Sequence, residues 1–116
     1  MPICIRFLRS DDGSCGAEEF LDALPPKDAQ KASWVLRLIE RLDRVPTSYL
    51  KKLQGTEEIW EVRIQGTRQE YRILGFLDQQ ALWLTNGYSK KDRRTDHREI
   101  SRAEMLRAHH LRPHRN

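Results

Sequence analysis

The 116-residue chain predicts an α+β fold: a small antiparallel sheet, made of an N-terminal strand and a three-strand meander, packed on a helical hairpin and followed by a C-terminal helix. Three observations predict it. Between Trp60 and Lys91, three short runs alternate apolar and polar residues and are separated by polar breaks, the pattern of an antiparallel meander. Between Ala17 and Asp43, apolar residues recur instead at helical spacing on either side of Pro25-Pro26. After Asp96 a last helical pattern begins. The expected order is β, α, α, β, β, β, α in a single domain spanning residues 1–116, with 109–116 as a frayed tail.

Each element has its own warrant. Ile3, Ile5 and Phe7 alternate with Cys4 and Arg6 as a first strand, and Ser10-Asp11-Asp12-Gly13 is a turn. Ala17, Phe20, Leu21 and Leu24 make one helical stripe, with Glu18 and Glu19 near the helix start where acids are favourable. Pro25-Pro26 ends this helix, and Pro26 suits the opening of the next, where no N–H is needed. The second helix is expected over Lys27 to Asp43, its stripe formed by Ala29, Ala32, Leu36 and Ile39 and widened by Val35, Leu38 and Leu42. Ser48 to Glu58 reads as a connecting loop. In the meander, Trp60, Val62 and Ile64 alternate with Glu61 and Arg63; Glu70 to Leu77 and Ala81 to Tyr88 follow. Asp96 with Glu99, or Ser101 with Glu104, suits the capping box of the last helix, and Ile100, Ala103 and Leu106 are its docking residues.

Arg63 and Arg72 lie inside strands. A sheet covered by helices on both faces would bury those guanidiniums at high cost. The expectation is therefore that one face packs on helices and the other stays open and basic. The formal charge is +4, and its distribution sharpens the point. From Gly87 to Asn116 there are nine Lys or Arg against four acids, a surplus of +5, while the remainder carries −1. Such a surplus suits a polyanion or an acidic protein partner, although a solvated basic helix has the same composition. No apolar run is long enough to span a bilayer and no signal peptide is evident, so the expectation is a cytoplasmic protein with no membrane partner. Cys4 and Cys15 are too few for a disulfide framework and are expected to be reduced.

Five pieces, in order, carry a family resemblance: Leu50-Lys51-Lys52-Leu53 before the meander, Trp60-Glu61-Val62-Arg63, Tyr71-Arg72-Ile73-Leu74, Gly87-Tyr88-Ser89-Lys90-Lys91, and Arg98-Glu99-Ile100-Ser101-Arg102-Ala103. Together they resemble the RelE/ParE superfamily of toxins from type II toxin–antitoxin pairs, most of all its HigB-type, phage-related branch. The resemblance implies a ribosome-dependent mRNA interferase, an endoribonuclease that cuts translated RNA. It also implies a cognate antitoxin, in this branch usually a helix-turn-helix protein, that holds the toxin inactive.

The residues are compatible with that chemistry. RNA is cut without metal when its own 2′-OH attacks the adjacent phosphorus; the protein must hold the phosphate, stabilise its charge and move protons. Candidate catalytic residues are Arg63 and Arg72 as phosphate forks, Lys90 and Lys91 past the strand end near the leaving group, and Tyr88 as a base stack or proton donor. Candidate RNA-binding residues are Lys51, Lys52, Arg93, Arg94, His97 and Arg98. The chain departs from the RelE pattern because Tyr88 is its last tyrosine; His97 is then a candidate proton carrier. His109, His110 and His114 lack Cys or carboxylate partners at ligand spacing, so no metal and no cofactor is expected. Two rivals stand beside these assignments. Arg63 and Arg72 pair with Glu61 or Glu70 across the sheet, or the protein is a ParE-like gyrase poison or a nucleic-acid-binding module without catalysis.

Overall fold

Two helices on one face of a five-stranded sheet and a third on the other make up the architecture, seen in a computed structural model that describes residues 2–91 and 96–113. The elements in chain order are β1 (Cys4–Phe7), α1 (Gly16–Asp22), α2 (Pro26–Arg41), β2 (Leu50–Lys52), β3 (Trp60–Gln65), β4 (Glu70–Asp78), β5 (Ala81–Lys90) and α3 (His97–Leu111). The α+β class and the meander match the expectation from sequence, and α2 starts and stops within two residues of it.

The sheet order is β1-β5-β4-β3-β2. Two corrections follow. β1 runs parallel to β5, Cys4 opposite Ala81 and Phe7 opposite Leu84, so the sheet is mixed rather than wholly antiparallel. The stretch expected as loop contains β2, which pairs antiparallel with the start of β3. β2 is an edge strand of three residues, two of them lysines, the short and charged form in which edges resist pairing with other chains.

Side-chain alternation sorts the sheet into two faces. One carries Val62, Ile64, Tyr71, Ile73, Leu82 and Leu84, and packs against Ala17 of α1 and Ala32, Val35 and Ile39 of α2. Phe20 of α1 lies so close over β5 that a Cβ on Gly87 would come within 2.5 Å of its ring, so only glycine leaves room there. A buried polar knot ties α2 to the β3–β4 turn: Asp28 accepts from the Tyr71 hydroxyl (2.5 Å) and from the Thr67 N–H (2.8 Å) and hydroxyl (3.1 Å). These donors hold the Asp28 carboxyl below its ordinary range, the Tyr71 bond foremost, while the same bond and burial push the Tyr71 phenol up.

The opposite face is not fully open. Ile100 and Ala103 of α3 cover Ile59 and Leu74 there, with Leu53 and Tyr88 at the margin. Asp96 caps α3, its carboxylate accepting from the N–H groups of Arg98 and Glu99. The Glu99 side chain does not reach back as a capping box would. It accepts instead from buried Asn86 of β5 (2.9 Å), which also donates to the Glu99 carbonyl (3.1 Å). At the other end, the His110 ring lies 4.7 Å from the Trp83 ring and 5.3 Å from Phe76, with Nε2 3.2 Å from Asp78. The supposed fray therefore begins no earlier than the end of the helix: His109, His110 and Leu111 are its last turn, and His114 lies outside the described residues.

Candidate functional site

Beside α3, on its side of the sheet, runs a charged row. Arg63 of β3 stands opposite Arg72 of β4, and Arg72 opposite Tyr88 of β5. One step away along the strands, Glu70 stands opposite Lys90, and on the other side Glu61 stands opposite Lys51 of β2. Because alternate residues share a face, these side chains belong to one surface.

Glu61 sits at the centre of this row. Its side chain is only 5% exposed, with one carboxylate oxygen 2.9 Å from Arg63 Nε and 3.4 Å from Arg72 Nε. Arg72 is itself buried, 8% exposed; one terminal amino group donates to the Tyr71 carbonyl (3.1 Å) and the other to Glu70 (3.1 Å). Its Nε is sealed from water without a hydrogen bond of good geometry among the described residues. Two guanidiniums facing each other across a strand pair repel; a carboxylate between them converts the repulsion into a three-membered ion cluster. The expectation of an open and simply basic face is thus corrected. Arg72 is buried and neutralised by two carboxylates, and the rival pairing with Glu61 and Glu70 is present.

Arg63 differs. Its Nε is committed to Glu61, but its side chain is 31% exposed and its terminal nitrogens make no hydrogen bond among the described residues. They are the accessible donors of the cluster. Tyr88, opposite Arg72 on the same face, is half-buried; burial, chiefly, and nearby Glu61 push its phenol up to about 12, so at neutral pH it is a proton-bearing donor and not a phenolate.

The remaining sequence candidates divide. Lys51 and Lys90 share the surface of the cluster, and no ion pair engages either among the described residues. Lys91, just past β5, is exposed. Lys52, one residue on from Lys51, is on the other side of its strand and pairs with Glu58 at 2.8 Å. His97 and Arg98 are exposed in the first turn of α3, where His97 shares a groove with Lys51. Arg93 and Arg94 lie outside the described residues. Among the described residues, no group of three or more His, Cys, Asp or Glu is arranged to hold a metal ion, and no helix is long and apolar enough to cross a membrane.

Sequence reasoning treated Glu61 only as a rival partner of the arginines. The signal for its central place was present: Glu61-x-Arg63 and Glu70-x-Arg72 each put an acid and a base on one face of a strand. Residues 19–108 match the family described as "Phage derived protein Gp49-like (DUF891)". No curated protein matches the chain. The match runs from within α1 through α2 and the meander with its arginine pair into most of α3, and it shows that the chain belongs to the phage-derived Gp49-like family, a RelE/toxin-like family of toxin–antitoxin systems.

Proposed function

We propose that the protein is the toxin of a type II pair of the HigB kind, and that it is an mRNA interferase cutting translated RNA on the ribosome without metal. The observation that carries this reading is the Glu61-held arginine pair, with partly exposed Arg63 donors on the face that also bears the neutral Tyr88 phenol. Family membership supports the toxin role. In the reaction, the 2′-hydroxyl gives its proton to water and its oxygen bonds to phosphorus as the bond to the 5′-oxygen breaks, leaving a 2′,3′-cyclic phosphate and, once the departing oxygen is protonated, a 5′-hydroxyl. Arg63 holds a non-bridging oxygen through its free terminal nitrogens. Arg72 joins it once phosphate displaces the half-exposed Glu70 from its amino group. Both stabilise the charge that grows on phosphorus in the transition state. Tyr88 donates toward the departing 5′-oxygen, and Lys90, Lys91 and Lys51 add positive charge along the RNA backbone, with His97 and Arg98 on the α3 side. Glu61 acts through the arginines, as a positioning residue.

The cognate antitoxin, a helix-turn-helix protein in this reading, covers the same surface with acidic side chains. A second reading draws on one observation: Arg72 is already paired with two carboxylates, as it would be in a ParE-like poison of DNA gyrase that needs no phosphate clamp. Induction in bacteria, with primer extension on a translated message, separates the two. The expected result is growth arrest with new 5′ ends inside the coding region, lost in Arg63→Ala, which removes a partly exposed group and leaves Glu61 paired with Arg72. Arrest with intact message and blocked replication rejects the nuclease.

A further inference from the structure

Between the β2–β3 connection and the first two turns of α3 lies a groove of about 330 Å³. Leu53 and Ile100, which belong to or border the core under α3, supply its apolar surface. Glu104 supplies a carboxylate, steadied by the Glu57 N–H at 2.8 Å. Lys51, His97 and Ser101 are among its other lining residues. Lys51 also stands opposite Glu61, so the groove adjoins the carboxylate that holds both arginines. Its volume is at the small end of ligand pockets, the scale of a single nucleotide.

We propose that this groove takes one unpaired RNA base, guanine in preference, next to the phosphate engaged by Arg63; the proposal rests on the RNA-cutting reading and names its base subsite. The apolar residues offer a surface to the base plane, the exposed His97 ring stacks on it, and Lys51 faces the backbone. Glu104 decides the base. An ionised carboxylate only accepts, and guanine alone presents two adjacent donors, N1–H and N2–H₂, along one edge. Cytosine and adenine each offer one amino group beside an acceptor nitrogen, and uracil flanks its single N–H with two carbonyls that a carboxylate repels.

The test is calorimetric titration of the full chain with each of the four ribonucleoside 5′-monophosphates. GMP is expected to bind about ten-fold tighter than UMP, the discrimination of one bidentate base contact. Glu104→Gln, which keeps an acceptor for the Glu57 N–H, is expected to flatten the preference, and Ser101→Trp, at an exposed helix position lining the groove, to weaken all four. NMR shifts of the Ile100 methyls on adding GMP to the parent protein give a readout that needs no variant to fold. Equal affinities for the four nucleotides, a preference that survives Glu104→Gln, or Ile100 signals unmoved by bound GMP would each overturn the assignment. GMP selectivity without message cleavage keeps the groove and rejects the nuclease; cleavage without base selectivity rejects the groove alone.

Discussion

Glu61→Gln is the sharpest probe of the charged row. The substitution keeps the shape of the side chain and removes the negative charge that bridges Arg63 and Arg72. Glu61 and Arg72 are 5% and 8% exposed, so their pair counts as buried. Removing one partner of a buried pair costs about 3–5 kcal/mol, because the other charge stays buried. Here Arg63 reaches water and Glu70 still bonds Arg72, which places the expected loss at the low end, about 3 kcal/mol. For a domain of this length, about 4 °C per kcal/mol makes a fall in Tm of about 12 °C. Glu70→Gln is the control. It too removes a carboxylate from Arg72, but its side chain is 47% exposed, so the expected loss is under about 1 kcal/mol. Thermal melts followed by far-UV circular dichroism, with urea titration for the free energies, measure both. If the two variants melt within about 3 °C of each other, burial is not what sets the energy of this cluster. The same pair reads function: Glu70→Gln frees an Arg72 amino group and is expected to tighten binding of a short single-stranded RNA, whereas Glu61→Gln lets the guanidiniums drift and is expected to weaken it.

Three further outcomes are expected. Asp28 has a depressed pKa, so its contribution to stability is present above the ordinary carboxylate range and is lost as pH falls through the folded value; Tyr71→Phe should shrink the fall in urea midpoint measured between neutral and acidic pH. Tyr88 has a raised pKa, so the stability linked to it is complete below about 10 and is lost as pH rises toward 12; phenolate absorbance at high pH should lose a late component in Tyr88→Phe, and a curve unchanged by that substitution would contradict the burial of this phenol. Gly87→Ala should destabilise by about 1–3 kcal/mol through overpacking against Phe20, and pairing it with Phe20→Leu should recover part of that loss in the same urea titration.

Much of the architecture was legible because its signals are local. Alternation marked β3, β4 and β5, the proline pair separated α1 from α2, and Asp96 marked the start of α3. β2 was not legible: in three residues only Leu50 is buried, which is too short for a period to show. The parallel pairing of β1 was hidden for a different reason, since the strand pattern is the same whichever way a partner runs. His110 extends the ordered helix through rings on β4 and β5, contacts that exist only once the chain has folded. At the site, the strand arginines were recognisable as unusual, and each adjacent Glu-x-Arg spacing was readable. What needed the register was the cross-strand reach of Glu61 to Arg72, because it depends on β3 and β4 aligning Arg63 with Arg72 and not a residue to either side.

The pairing of β1 with β5 also sets an order of events during synthesis. Cys4 and its partner Ala81 are 77 positions apart, so β1 has no strand partner until β5 is made. At about 5–20 residues per second, that delay is about 4–15 s. Through this interval α2 is the element made in time to touch β1, with Glu40 accepting from the Ile5 N–H, and the β3–β4 hairpin, whose strands are close in sequence, is free to form first. Closure of the sheet is therefore a late event, delayed until β5 has been made, and α3 docks after it.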